Sequence, residues 1–104
     1  YVINYYKMKN YYVYITTNSN SSVLYIGVSN CLKKRIQEHF FNANHSKTSF
    51  AGKYNCHHLL YFEVFTSIVN AIAREKELKG WKRNKKMELI KISNPSLQFI
   101  EPPN

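Results

Sequence analysis

Hydrophobic and polar positions alternate along residues 11–17, where β-branched and aromatic side chains predominate. In an extended chain, Val13 and Ile15 fall on one side and the tyrosines on the other. Residues 18–22 are all Asn or Ser, which are typical of turns, and residues 23–28 are again mostly apolar. The pattern predicts a β-hairpin over residues 11–28.

The apolar positions then take the spacing of a helix. Leu32, Ile36 and Phe40 recur at every fourth residue, which predicts an amphipathic helix that ends at about residue 42. Residues 43–57 are polar, basic and aperiodic, so a loop is expected there. The loop would leave this helix free to pack on one face of the hairpin.

The second half of the chain predicts one strand and two helices. Residues 58–65 are mostly apolar and predict a third strand, either central in the sheet or well covered. A cap at Thr66 or Ser67 begins a helix that Gly80 ends, and a last helix is expected from about residue 83 to residue 92. The order β-β-α-β-α-α predicts an α+β domain with a small, largely antiparallel sheet and helices packed on it.

Composition narrows the class of protein. The chain has 104 residues, a formal net charge of +9 and 44% hydrophobic residues, which predicts one folded domain over residues 1–104 and excludes a charged disordered tail. No apolar run approaches the roughly 20 residues that cross a bilayer. Two cysteines are too few for a disulfide scaffold. We expect a cytoplasmic domain whose basic surface attracts polyanions, with nucleic acid favoured over a membrane.

Glu75 breaks the apolar pattern of the second predicted helix. It falls near the middle of the stripe that runs from Ile68 to Leu78. A carboxylate on a buried face is costly unless it is paired or bound to a cation. Two interpretations stay open: an ion pair with a nearby basic residue such as Lys79, or a ligand for a hard divalent metal at the bottom of a cleft.

Two further pairs of residues have the chemistry of a site. Arg35 and His39 lie four apart on one face of the first helix, where Arg suits phosphate binding and His exchanges protons near neutral pH. Tyr14 and Tyr25 lie on the two strands of the hairpin, in a register that the pattern leaves open. Gly27 weakens its strand unless a backbone or a ligand approaches closely there. A solvated helix face and ordinary core tyrosines are the structural alternatives.

Taken together, these residues resemble the GIY-YIG nuclease superfamily. The first motif reads Tyr12-Val13-Tyr14 and the second Tyr25-Ile26-Gly27, followed by an arginine-bearing helix (NCLKKRIQEH) and a carboxylate-bearing helix (AIAREKELKGW). The resemblance covers a core of about residues 11–97 and is closest to the small single-domain, UPF0213-like bacterial branch. Tyr12 stands where the first glycine of the family name would be, a minor departure.

The resemblance implies a three-stranded antiparallel sheet flanked by helices (the GIY-YIG fold) and a metal-dependent endonuclease that cuts DNA. It places one divalent ion, Mg²⁺ or Mn²⁺, on Glu75 and the catalytic arginine at Arg35. Tyr14 and Tyr25 become the motif tyrosines, with His39 as a proton relay. Tyr14 is the favoured base, and Tyr25 would position water or phosphate.

A set of basic or late residues would then hold the nucleic-acid backbone or support the site. These residues are Gly27, Lys33, Lys34, Lys53, Lys82, Arg83 and Asn94. Specificity would come from DNA structure or from a protein partner, in DNA repair, recombination or processing. The alternative is a non-catalytic nucleic-acid-binding or adaptor module on the same fold, which would bind DNA without cutting it.

Overall fold

Six elements follow one another in the predicted order. The computed structural model of the chain describes residues 9–45 and 54–103. The elements are β1 (Tyr11–Thr17), β2 (Leu24–Ser29), α1 (Leu32–His45), β3 (His58–Phe65), α2 (Ile68–Lys79) and α3 (Arg83–Ser93). This confirms the α+β class and corrects the end of the first helix, which extends past residue 42. No helix among the described residues is both long and apolar enough to cross a membrane.

The strands form one antiparallel sheet in the order β2-β1-β3. β1 is the central strand, which explains why every residue from Tyr12 to Thr17 is buried. β3 lies at an edge, so of the two predicted alternatives, a central strand or a well-covered one, the central position is wrong. The start of this edge is covered instead by the C-terminal segment, where the Ile100 N–H donates to the Leu59 carbonyl at 2.9 Å.

The alternation along β1 supplies a core on each face of the sheet. Val13 and Ile15 pack with Ala71 and Leu78 of α2, and Ile90 of α3 joins them. On the other face, tyrosines of β1 pack under α1 in a second cluster of buried side chains (Tyr12, Tyr14, Leu32 and Leu59). α1 therefore lies on one face of the sheet, and α2 and α3 lie on the other.

The buried face of α1 is turned relative to the predicted stripe. Leu32 is buried as expected, but Phe40 is 55% exposed and His39 is buried in its place. Residues four apart drift about 40° around a helix at each step, whereas residues seven apart drift only about 20° in total. The buried face therefore follows the spacing from Leu32 to His39.

The same drift explains a second correction in α2. Ala71 and Leu78, seven residues apart, are buried, whereas Ile68 and Ile72 are exposed although the pattern placed both on the apolar stripe. The predicted helix start is confirmed at Ser67, whose side chain accepts from the Asn70 N–H. The alternation of a strand thus gives its buried face more reliably than a helical spacing of four does.

A bidentate ion pair fastens α2 to β3. Arg74 donates to both carboxylate oxygens of Glu63 at 2.9 Å and to Glu77 at 2.8 Å. The Tyr61 hydroxyl also donates to Glu63. Burial by itself would raise the pKa of Glu63, but the hydrogen bonds from Arg74 and Tyr61 hold that pKa below its usual value. Glu63 is therefore charged and fully engaged at neutral pH.

Replacing Arg74 with methionine is expected to lower the free energy of unfolding by about 2 kcal/mol at pH 7, because Glu63 would keep its charge in a partly buried place without its partner. Urea denaturation followed by circular dichroism measures the change. The matched control is Lys76→Met, at an exposed position of the same helix, which should stay within about 0.5 kcal/mol. Equal effects of the two substitutions would contradict the prediction.

Candidate active site

A buried pair of polar side chains lies between β1 and α1. The Tyr14 hydroxyl is 2.9 Å from Nε2 of His39, and the two residues are 0% and 2% exposed. Alternation along β1 directs Tyr14 to this face, and the buried side of α1 brings His39 above it. The two predicted site residues, 25 positions apart in the chain, are in direct contact.

The register of the hairpin places the second tyrosine beside them. Tyr25 pairs with Thr16, and Gly27 pairs with Tyr14. Because side chains two residues apart share a face, Tyr14 and Tyr25 lie on the same side of the sheet at diagonal positions. The centroid of the Tyr25 ring is 5.1 Å from that of His39 and 6.2 Å from that of Tyr14. The hairpin and α1 thus gather three predicted site residues.

Gly27 makes room for one of these rings. The Tyr14 ring lies over the glycine so closely that an added Cβ would be 2.6 Å from the Tyr14 Cζ and would also overlap its hydroxyl. The close approach predicted at Gly27 is therefore real, but a side chain of this chain makes it. Gly27 is buried beneath Tyr14, so the structure does not support the predicted nucleic-acid contact there.

Arg35 joins the cluster from one turn earlier in α1. Hydrogen bonding with Tyr14, and more weakly with Glu38 and Tyr25, raises the pKa of Arg35 against the effect of burial, so its guanidinium stays charged. The link to Glu38 spans 3.0 Å. Its side chain also lines a surface pocket with Tyr11, Val28, Ser29, Asn30 and Ile68. Arg35 therefore connects the buried tyrosines with solvent.

The protonation states follow from burial and from this cation. Burial raises the pKa of Tyr14 well above its usual value, although hydrogen bonding with Arg35 opposes the rise. Burial, and then the charge of Arg35, lowers the pKa of His39 to about 4. Both side chains are therefore neutral at pH 7 beside a fixed positive charge.

One tautomer of His39 suits proton transfer from Tyr14. A guanidinium only donates, so Arg35 takes one acceptor position on the Tyr14 oxygen, and the Tyr14 O–H can donate to Nε2 of His39 in the tautomer that is protonated on Nδ1. The ring proton of His39 then sits on Nδ1, which is buried and has no hydrogen-bond partner in the described part of the chain. In this arrangement Nε2 is ready to receive a proton from Tyr14.

The depressed pKa of His39 predicts a pH-dependent stability. The unfolded chain takes up a proton at His39 below about pH 6.5 and the folded chain only near pH 4, so the free energy of unfolding should fall by about 3 kcal/mol over that interval. His57 and His58, whose pKa values burial also lowers, act in the same direction. Urea denaturation at stepped pH should show a smaller fall for His39→Gln. An unchanged slope in that variant would contradict the prediction.

Glu75 lies apart from this hydrogen-bonded group. It belongs to α2, which packs on the Val13–Ile15 face of the sheet. Its side chain is 16% exposed and forms an ion pair with Lys79, at 3.2 Å between Oε2 and Nζ. The ion pair, one of the two interpretations left open, is thus present. Lys79 and Tyr25 line the same pocket, so the ion-pair partner of Glu75 lies near one of the motif tyrosines.

The ligands available around Glu75 suit a divalent metal ion that needs few protein ligands. Within residues 9–45 and 54–103, no group of three or more His, Cys, Asp or Glu residues could hold an ion. A single carboxylate fits Mg²⁺ or Mn²⁺, since Mg²⁺ commonly keeps several waters and is held by one or two carboxylates together with substrate phosphates. Glu75 is compatible with such a site once its oxygens are released from Lys79.

The predicted nucleic-acid contacts fall into three groups. Lys33, Lys34 and Lys82 have exposed positions that suit contact with a phosphate backbone. Arg83 instead donates to the carbonyls of Ser21 and Ser22 at 2.7 and 3.0 Å, so that it holds the hairpin turn against α3. Lys53 lies outside the described residues.

Asn94 has a structural role. It is buried, and its amide nitrogen donates to the carbonyls of Leu60 and Gln98 at 3.0 and 2.8 Å. Its amide oxygen accepts from the Gln98 N–H at 3.0 Å. With its amide committed to the backbone, Asn94 holds the C-terminal segment against β3. The structure therefore does not support a nucleic-acid contact at this residue.

The comparisons with known proteins show the family of this chain. A family model described as the GIY-YIG catalytic domain matches residues 10–88. The chain belongs to the GIY-YIG family. Membership supports a nuclease-type function with nucleic acid as the substrate. It also confirms the family that the motifs suggested.

Individual GIY-YIG relatives carry the UPF0213 name. A UPF0213 protein of Haloquadratum walsbyi is 35% identical over 79 residues, covering 76% of this chain and 84% of that protein. A UPF0213 protein of Staphylococcus aureus is 32% identical over 84 residues, covering 81% and 98%. The solution NMR structure of a UPF0213 protein from Bacillus halodurans aligns with a TM-score of 0.51 at 28% identity, covering 84% and 88%. That neighbour has the same GIY-YIG type of fold.

One surface of the GIY-YIG domain was missed by the sequence reasoning. A pocket of about 300 Å³ is lined by Leu24, Tyr25 and Ile26 of β2 and by Lys79 and Lys86 from two helices. The spacing of Glu75 and Lys79 indicated their pairing, but the approach of Lys86 depends on how α3 packs. The pocket brings two ammonium groups beside a motif tyrosine.

Proposed function

We propose that this GIY-YIG domain is a divalent-metal-dependent endonuclease that hydrolyses phosphodiester bonds in DNA. The observation that carries the proposal is the buried, neutral Tyr14–His39 pair, hydrogen-bonded beside the charged Arg35. A purely structural core gains little from burying a histidine whose Nδ1 lacks a partner among the described residues. General acid–base chemistry uses such a group to receive a proton.

The three polar rings support a path for that proton. Tyr25 is partly exposed whereas Tyr14 is fully buried, and the centroids of their two rings are 6.2 Å apart. We therefore assign contact with the attacking water and receipt of its proton to Tyr25 and relay to Tyr14, whereas the sequence favoured Tyr14 as the base. Water gives a proton to Tyr25, Tyr25 gives its own to Tyr14, and Tyr14 gives its own to Nε2 of His39. No tyrosinate has to form.

Arg35 has two effects in this scheme. Its guanidinium, which reaches a surface pocket, can bind a non-bridging oxygen of the scissile phosphate. The same charge is the second cause of the low pKa of His39. The negative charge of a bound phosphodiester compensates the charge of Arg35. The pKa of His39 therefore rises at the stage when His39 has to accept a proton. Substrate binding thus prepares the base.

Glu75 is the residue that would hold the metal. A bound Mg²⁺ or Mn²⁺ supplies charge neutralisation at the scissile phosphate and stabilises the leaving oxygen. The carboxylate is only 16% exposed, which limits its motion and suits a ligand that must keep its place. Exposed lysines such as Lys33, Lys34 and Lys82 would hold the DNA backbone without reading its bases. We accordingly propose a structure-directed or weakly specific cytoplasmic activity in DNA repair, recombination or processing, with a protein partner able to add specificity.

One observation favours a second candidate function. Glu75 already has a counter-ion in Lys79, as it would in a non-catalytic nucleic-acid-binding or adaptor module. Such a module would bind DNA through its basic surface and would need neither a metal nor a proton relay. The two candidates therefore differ in whether DNA is cut and whether a metal is required.

The deciding experiment incubates the purified protein with supercoiled, linear, branched and single-stranded DNA and with RNA, in Mg²⁺ or in Mn²⁺. We expect cleavage of at least one DNA substrate that stops when EDTA is added and returns with excess metal. A Tyr14→Phe protein prepared in the same way should not cut, which excludes a contaminating nuclease. Salt-sensitive binding of every substrate without cleavage would support the adaptor module instead.

A further inference from the structure

The pocket beside Tyr25 has the chemistry of an anion site. Its apolar wall comes from Leu24 and Ile26 of β2, and Lys79 and Lys86 bring two ammonium groups to it from α2 and α3. Lys79 is 53% exposed at its side chain, so its charged end can move. The pocket is open, has a volume of about 300 Å³ and is lined by two lysines, so it can admit a backbone phosphate, which carries one negative charge.

Lys79 is also the described partner of Glu75. Their 3.2 Å ion pair joins positions four apart on α2, with the glutamate before the lysine. Glu75 is largely enclosed and cannot follow a partner that moves, whereas the long lysine side chain can swing away. A metal ion that binds Glu75 competes with this ammonium group, which lies 3.2 Å from Oε2, one of the two carboxylate oxygens.

We propose that this pocket binds a backbone phosphate of the DNA and that Lys79 is an exchangeable counter-ion for Glu75. The inference rests on the function proposed above and adds to it a subsite and an order of events. When a phosphate enters the pocket, Lys79 leaves Glu75 and pairs with the phosphate together with Lys86. Glu75 is thereby released to bind the divalent ion.

The exchange of Lys79 couples the binding of DNA to the binding of the metal ion. Phosphate binding in the pocket removes the competitor of the metal, so DNA tightens metal binding, and by linkage the metal tightens DNA binding to the same degree. Without DNA, Lys79 keeps Glu75 occupied and weakens metal binding. The domain would thus bind its metal more tightly when a substrate is present.

The test measures Mn²⁺ affinity directly, from the electron paramagnetic resonance signal of free Mn²⁺, and needs no cleavage. Lys79→Gln is compared with the unaltered residue, in a Tyr14→Phe background so that DNA stays intact. Each protein is titrated alone and with a saturating short DNA duplex. Lys76→Gln is the matched control, since it removes the same charge from a nearby exposed position of α2. Glu75→Gln identifies which Mn²⁺ is bound at this site.

Without DNA, Lys79→Gln should bind Mn²⁺ about threefold more tightly, the effect of removing one partly exposed competitor. Lys76→Gln should change affinity by less than about 1.5-fold. With DNA, the difference between the Lys79→Gln protein and the protein that keeps the lysine should disappear, because Lys79 has already left Glu75. Equal affinities without DNA, or a difference that persists with DNA, would overturn the inference and leave the nuclease proposal intact. Mn²⁺ binding that survives Glu75→Gln unchanged would overturn both.

Discussion

Replacing Glu75 with glutamine is expected to lower the DNA cleavage rate by about 10³-fold or more, while the protein stays folded and still binds DNA. Glutamine has the shape of glutamate, so the packing of α2 on the sheet should be kept. It lacks the negative charge that would hold a divalent ion, and with that charge goes the stabilisation of the leaving oxygen. Loss of the ion pair with Lys79 should itself cost little, about 0.5 kcal/mol.

Glu77→Gln is the matched control for this substitution. Glu77 lies on the same helix, and its ion pair with Arg74 is largely exposed, so this variant should retain most of the cleavage rate. Initial rates at saturating Mg²⁺, together with thermal unfolding of each variant, separate a loss of chemistry from a loss of fold. Cleavage by the Glu75→Gln protein at the unaltered rate would refute the metal-binding role and favour Glu75 as a purely structural partner of Lys79.

Replacing Gly27 with alanine is expected to destabilise the domain by about 3 kcal/mol. The new methyl group would lie 2.6 Å from the Tyr14 Cζ, and the Tyr14 ring has no room to retreat because it is fully buried against α1. Moving that ring would also disturb its hydrogen bond to His39. A loss of this size is a large part of the stability of a small domain.

Gly80→Ala is the matched control for Gly27→Ala. At Gly80 an added Cβ would meet only the carbonyl oxygens of Glu77 and Lys76, at 3.5 and 3.8 Å, and the backbone has a helical φ of −78°. This substitution should stay within about 0.5 kcal/mol of the unaltered protein. Urea denaturation of both variants tests the contrast. Equal urea midpoints for the two variants would show that the Tyr14 ring can move away from the new methyl group without destabilising the domain.

The element order and the family could be predicted from the sequence because they depend on local signals. Alternation along Tyr11–Thr17, the turn residues after it and the Ser67 cap each act over a few residues. The motif residues Tyr14, Arg35 and His39 could be identified for the same reason, since each lies at a set place in its element. Tyr14 contacts both His39 and Arg35 in the structure.

What the sequence could not show depends on contacts between elements. His39 is buried rather than Phe40 because of the orientation in which α1 packs on the face of the sheet that carries Tyr14. Gly27 lies opposite Tyr14 only in the register that the finished hairpin adopts. The amide of Asn94 is bonded to the backbone of Leu60 and Gln98, which are partners that no local pattern indicated. In each case the sequence showed the type of side chain, but it did not show which residue that side chain contacts.

The short C-terminal segment beside β3 also bears on how copies of this protein behave together. An uncovered edge strand offers free backbone N–H and C=O groups to any extended chain that meets it. The bond from Ile100 to Leu59 occupies one of these groups, and Asn94 holds the segment in place. A chain shortened before this segment would expose the Leu59 carbonyl at the start of β3 to pairing with another extended chain, so the segment reduces edge-to-edge pairing at this point.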